Sequence, residues 1–350
     1  LTDFGVPAIV GGNYRVLATD IYQYIIGQYN FSLGSVVAVL LLIPSLMIFC
    51  IDYLFFKKQK TTFMPHAIPY QPKPSMIKNS ILFILSLIPA LFIAMIFMAA
   101  FIGSFITYWP YNLTLTLSHY NFTHFDEAGW SSYINSLLLA FCVSCLGLFL
   151  ISLTAYITTR IKSRGLITTL IHYVSSISIA IPGVVFGLSY IFFFSSFAPL
   201  FNFLYPGFLV LVINTLAHLY TTGYMLMRNH FGQIDESFEK VGYSLHGKMT
   251  KIIGKIILPL SLPALLNLGT YLFTNSMVTV SSVIFLYSAH TKLASIAIVN
   301  MNDTGYTSSA AAMSILIFLT VLCIVILKNI LVKMIFAHAP WYQYNVKLIF

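Results

Sequence analysis

Residues Asp235 to Pro259 read DESFEKVGYSLHGKMTKIIGKIILP, a polar, basic, glycine-punctuated stretch between two apolar runs each long enough to cross a bilayer. Such a segment is a handle on one face of a membrane, offered to something soluble. The remainder of the chain agrees with that reading. Hydrophobic residues make up 59% of the 350 and charged residues only 8%, against about 25% charged in soluble domains. A hydrocarbon core about 30 Å thick needs roughly 20 apolar helical residues. Seven runs qualify: 34–56, 80–107, 133–158, 166–195, 206–227, 259–287 and 309–334. No amphipathic outer layer is present to bury these runs in a soluble protein, so all seven are predicted to span lipid.

Charge placement orients the spans, because cytoplasmic loops retain Lys and Arg. Lys57, Lys58, Lys60, Lys73 and Lys78 lie between the first two runs, and Arg160, Lys162 and Arg164 follow the third. Arg228, Lys240, Lys248, Lys251 and Lys255 surround the handle, and Lys328, Lys333 and Lys347 close the chain. Sixteen of the 18 basic residues thus fall on one side, leaving Arg15 and Lys292 opposite. The handle side is therefore predicted to be cytoplasmic. The outer loops carry the acids Asp126, Glu127 and Asp303.

The net charge of +9 is a topology signal; nucleic-acid binding would need a contiguous basic face with stacking aromatics. Cys50, Cys142, Cys145 and Cys323 lie within apolar runs and behave as small apolar residues. Cys142 and Cys145 have CxxC spacing but no partner ligands, so no metal site is expected. No complete phosphate-cradling G-x-x-x-x-G-K-[ST] occurs: Gly242, Gly247 and Lys248 have its spacing, but Met249 stands where the hydroxyl residue is needed. The chain is expected to be no enzyme and to bind no cofactor directly.

An internal repeat organises the spans. A shift of 276 residues lays Leu17, Ala18 and Thr19 on Leu293, Ala294 and Ser295, and the run from Gly34 onto the run from Ala310. Residues 1–56 read as the tail of one unit, an outer loop plus its last span. Residues 57–79 form a basic, Pro-containing cytoplasmic linker, 80–336 a complete six-span unit, and 337–350 a short cytoplasmic tail. The chain opens at Leu1 without an initiator Met, which suggests a longer two-unit protein.

The handle resembles the signature loop of binding-protein-dependent ABC transporter permeases, the type I importers, whose pattern runs E-A-A, then Gly, then I-x-L-P. Ile256, Ile257, Leu258 and Pro259 match its close, and Glu236 and Glu239 stand at its start. The double Ala is absent. Gly242 lies four residues further from Leu258 than the pattern's glycine, and Gly247 one residue nearer. A second match, Ile181-Pro182-Gly183-Val184-Val185-Phe186-Gly187-Leu188-Ser189-Tyr190, resembles the I-P-G-V-V-x-G-L-x-Y stretch of the family's third core span. The resemblance implies an all-α integral membrane protein, a polytopic helical bundle with six spans in the complete unit plus one from a preceding unit. It also implies a bacterial inner-membrane location, cytoplasmic ABC ATPase subunits that bring ATP and Mg, and an extracytoplasmic solute-binding protein docking on the outer loops. A second permease unit, in the same chain or as a dimer, completes the assembly.

The residues give the handle its own logic. Asp235, Glu236 and Glu239 suit the start of a leading helix, where its dipole favours acids. Gly242 or Gly247 permits a sharp turn that a Cβ would strain. Lys248, Lys251 and Lys255 can meet lipid phosphates, and Pro259 can open the next span, where its missing N–H costs nothing. The path itself is expected on polar helix faces turned from lipid. Tyr271, Asn275, Thr279 and Ser282 share one face of the fifth span of the unit, and Asn214, His218, Thr221 and Thr222 one face of the fourth. Pro182 and Gly183 either break the third span or kink it.

For substrate, residues 274–313 resemble permeases assigned to 2-aminoethylphosphonate, and the tandem layout is similar to those and to iron(III) permeases. The predicted path carries hydroxyls, amides and a His, which favours the phosphonate, with ferric iron as the alternative. A secondary transporter would need intramembrane carboxylates or helices broken at mid-bilayer, whereas all nine acids lie in loops or near span ends. A membrane enzyme would need His and carboxylates gathered at one depth.

Overall fold

The computed structural model describes residues 4–12, 14–56, 75–108, 111–160, 165–201 and 207–336. Most of the expected linker, the tail 337–350, and Lys162 and Arg164 lie outside these residues. In chain order the helices are α1 (Gly5–Val10), α2 (Leu17–Tyr22), α3 (Phe31–Phe56), α4 (Met76–Phe105), α5 (Trp130–Arg160), α6 (Leu166–Ile177) and α7 (Gly183–Phe201). There follow α8 (Phe208–Gln233), α9 (Ser237–Ser244), α10 (Met249–Ile252), α11 (Leu258–Val278), α12 (Ala294–Asp303) and α13 (Thr307–Phe336). A two-stranded antiparallel hairpin, β1 (Ile106–Tyr108) and β2 (Asn112–Leu115), decorates the loop after α4. The expected all-α polytopic bundle is what forms.

Among the described residues six helices are long and apolar enough to cross a membrane: α3, α4, α5, α8, α10 continued through α11, and α13. The expectation of seven continuous spans is corrected at two places. Run 166–195 is not one rod, because α6 and α7 are bent by 111° about Ser178–Pro182. Pro182 supplies no N–H and its ring crowds the carbonyl four residues back. Ile181, ahead of it, is driven to an extended φ of −99° and ψ of 118°. The second correction concerns run 259–287. Its helix α11 stops at Val278, and 279–287 folds as turns.

The centre of the bundle is the mutual packing of α5, α8 and α11, where Leu139, Val143, Ile151, Leu216, Leu268 and Leu272 are buried. Gly147 makes this approach possible, since a Cβ there would lie 2.6 Å from Leu272 Cδ1 and 2.9 Å from Leu216 Cδ1. Phe4, Ala18, Ile21, Ile25 and Leu41 form another cluster that packs on Val184 and Leu188 of α7 and on Ile284 and Phe285. By contrast, the membrane-crossing part of α4 is buried nowhere in the protein. Lipid is its solvent.

The 276-residue shift carries into backbone geometry. Val16 and Leu293, the residues just ahead of α2 and α12, are one position out of register under that shift but share an extended backbone, with φ, ψ of −110°, 158° and −101°, 154°. Tyr29 and Gly305 are superimposed by the same shift, and both are left-handed, with φ of 53° and 88°. It also superimposes the first residues of α3 and α13, Phe31 and Thr307. The first copy differs inside: a π-helical turn, Gln23–Gly27, follows its shorter helix.

Candidate functional site

The handle is a bracket of two short helices. Asp235 lies ahead of α9, and its Oδ1 accepts the Ser237 N–H at 2.8 Å. That bond to the charged form holds the Asp235 carboxyl below its usual range. Glu236 is also outside the helix and faces water, 3.7 Å from Lys240. Glu239, in the first turn, does the opposite and turns inward. Its Oε1 lies 3.4 Å from Arg160 Nε at the end of α5 and accepts the Tyr156 hydroxyl at 3.2 Å. Both charged side chains are largely shielded, 5% exposed for Arg160 and 13% for Glu239.

The turn itself corrects the glycine expectation. His246 takes the left-handed conformation, with φ of 55°. It stands twelve residues before Leu258, where the family pattern places its glycine. Gly242 serves packing instead, because a Cβ there would sit 2.8 Å from Ile252 Cδ1 and Cγ1 of α10. The Gly247 N–H donates to the Gly242 carbonyl at 3.0 Å, and a Cβ on Gly247 would lie 2.8 Å from that oxygen. Beyond α10 a π-helical turn, Ile253–Ile257, leads into α11. Ile256 packs against the core, Leu258 is exposed, and Pro259 falls in the first turn of α11. Lys248, Lys251 and Lys255 are all exposed.

Charge reading of this stretch missed its apolar face. Phe238, Val241 and Leu245 are 45%, 58% and 77% exposed. Phe238 and Val241, at i and i+3, share one side of α9, and Leu245 follows at its C-cap. That stripe was present in the sequence as a helical period.

A cavity of about 340 Å³ opens at the α6–α7 break. Pro182, Gly183, His218, Thr222, Tyr271 and Ser281 contribute to its wall. The His218 ring meets Phe186 edge-on at 5.8 Å, and its Nδ1 has no hydrogen-bond partner among the described residues. Space is tight at Gly183, where a Cβ would strike the Ser281 hydroxyl. Imidazole, phenol and hydroxyls share this wall with Ile179, Ile181 and Leu219, and no acid, Lys or Arg is among its described residues.

The other path residues do not line it. Asn214 is fully buried and its Nδ2 donates to the Ser282 carbonyl at 2.8 Å. Asn275 Nδ2 donates within its own helix to the Tyr271 carbonyl, also at 2.8 Å. Thr279 and Ser282 share no helix face with Tyr271, because α11 has already ended; their hydroxyls lie 3.2 Å apart. Thr221 donates to the Ser175 carbonyl at 2.8 Å, tying α8 to α6. The Ser282 backbone sits so close to α7 that a Cβ on Gly187 would be 2.6 Å from its carbonyl oxygen.

A polytopic helical bundle with one broken span, a polar internal cavity and a pinned bracket on one face defines a membrane transport component. Residues 151–336 match the model of the family described as binding-protein-dependent transport system inner membrane component, and the chain belongs to that family. It is thus a multi-pass protein of the bacterial inner membrane. It is 30% identical over 333 residues to the ferric transport system permease protein FbpB of Actinobacillus pleuropneumoniae, covering 93% of this chain and 48% of the relative. It is 25% identical over 334 residues to the Fe(3+)-transport system permease protein FbpB 2 of Haemophilus influenzae, covering 94% of this chain and 63% of the relative. The chain therefore spans about half of the first relative and under two thirds of the second. Among solved structures it resembles a chain of a bacterial ABC transporter involved in the import of the acidic polysaccharide alginate, with a TM-score of 0.54 and 18% identity over 75% of this chain and 99% of that one. That last likeness is one of fold.

Proposed function

We propose that the chain is a permease subunit of an ATP-driven, binding-protein-dependent importer of iron(III). The bracket carries this reading. An exposed apolar stripe on α9 presents a docking face to a soluble partner, and Glu239 on the same helix is pinned to Arg160 of α5. A push on α9 therefore reaches α5 directly. From α5 it passes to α8 and α11, which contribute His218, Thr222 and Tyr271 to the cavity wall. The partner in this scheme is a cytoplasmic ABC ATPase that binds ATP and Mg, and an extracytoplasmic solute-binding protein delivers cargo at the opposite face. A second permease unit completes the pathway.

Relatives named for ferric transport weigh toward iron(III) over 2-aminoethylphosphonate, which the hydroxyls and amides of the predicted path favoured. A reconstituted transporter supplied with its binding protein and ATP is expected to accumulate radioactive iron(III). Val241→Asp, in the docking stripe, should abolish both uptake and ATPase co-purification while the protein remains in the membrane. Uptake driven by an ion gradient without any ATPase would sink the proposal.

A further inference from the structure

A second cavity, of about 430 Å³, lies at the end of the molecule opposite the bracket, between the segment Phe4–Gly27 and α12. It shares no wall residue with the cavity at His218. Its position follows the internal repeat. Under the 276-residue shift Gln23 corresponds to Val299 and Gly27 to Asp303, and all four line this one space. Equivalent positions of two related units thus face each other across it. In secondary transporters built from internal repeats, the substrate site likewise lies at the repeat interface, there near the bilayer midplane.

The chemistry of the wall is not symmetric. Gly27 offers nothing where its counterpart is Asp303, and Arg15 stands in the first copy alone. Neither Arg15 nor Asp303 is in an ion pair among the described residues. Asp303 is also the last residue of α12, where the helix dipole disfavours a negative charge. Asp303 is exposed at the cavity mouth, where partial desolvation raises the pKa of its carboxyl, and burial raises that of the Tyr22 phenol in the same wall. Arg15 and Asp303 are both exposed at this cavity, so each can reach a ligand that enters it from water.

We infer that this cavity receives the transported solute, and that it takes a ligand with a cationic centre at one pole and anionic oxygens at the other. The cationic centre faces Asp303 and the Tyr22 phenol oxygen, and the anionic oxygens face Arg15. This rests on the import reading above. Iron(III) carrying a bound oxyanion has the required polarity, and so has a zwitterion such as 2-aminoethylphosphonate.

The test uses the complete transporter with its ATPase subunits in nanodiscs, without binding protein. Direct binding is measured for radioactive iron(III) pyrophosphate and, separately, for radioactive 2-aminoethylphosphonate. One of the two should bind. Asp303→Asn and Arg15→Gln should each weaken it about tenfold or more, with Asp303→Glu recovering part of the loss. Glu127→Gln, an exposed acid of another loop at the same end, should leave binding unchanged. If the wild type imports iron(III) but the Asp303 and Arg15 variants bind it normally, the cavity assignment is wrong and the import reading stands. A wild type that neither binds nor imports either solute overturns both.

Discussion

Two buried ion pairs hold the two ends of α5, and they are built differently. At the end away from the bracket Asp126 meets Lys292, with the side chains 3% and 11% exposed. Neighbouring bonds reinforce that pair: Ala128 N–H to Asp126 Oδ2 at 3.2 Å, Asn135 Nδ2 to the carbonyls of His290 and Lys292 at 2.9 and 3.1 Å, and Ala294 N–H to Ser136 Oγ at 2.8 Å. At the bracket end Arg160 and Glu239 approach to 3.4 Å without hydrogen-bond geometry, helped by Tyr156. The first end is a clamp and the second a single pin. A transporter that must transmit force while staying assembled needs that inequality.

The comparison can be broken most forcefully at the clamp. Asp126→Asn strands Lys292 in the interior, and removing one partner of a buried pair costs about 3–5 kcal/mol. Thermal unfolding in detergent should fall accordingly, and Asp126→Leu combined with Lys292→Leu should cost less than Asp126→Asn alone. A double variant as unstable as the single would show that the clamp draws its strength elsewhere. At the pin, Glu239→Gln should cost only about 1.5 kcal/mol, because Arg160 at a helix end can snorkel toward water or lipid phosphate. ATP-driven uptake should nevertheless drop about tenfold or more, while Glu236→Gln changes neither. Equal effects on uptake from both glutamates would remove the distinction between pin and surface. The smallest effect is expected at the turn: His246→Gly relieves a left-handed residue and should stabilise the bracket by about 1 kcal/mol, seen as slower hydrogen exchange over 243–248. Faster exchange would mean that the imidazole itself holds the turn.

The spans α3, α4, α5, α8 and α13 were legible because lipid asks only for length and absence of charge. Direction of travel is invisible to that criterion. Residues 166–195 carry no Asp, Glu, Lys or Arg, yet the chain bends by 111° at Pro182 within them. Residues 283–287, Val-Ile-Phe-Leu-Tyr, look like the close of a helix, but Thr279, Ser282 and the Asn214 amide draw the backbone into turns. The sequence pattern pointed to polar faces on α8 and α11 and could not say which members were already satisfied. His218, Thr222 and Tyr271 line the cavity, whereas Asn214 and Asn275 hydrogen-bond to backbone carbonyls. Arg160 read as a topology marker only, since its partner Glu239 lies 79 residues away. Such pairings are tertiary facts, without a local period to announce them.

The contact between Gly187 and the Ser282 carbonyl sets backbone against backbone, with no side chain between to act as a cushion. Rotamer changes cannot absorb a displacement there. The rod α7 and the folded ribbon after α11 are consequently geared together, so that a shear applied to one is passed to the other.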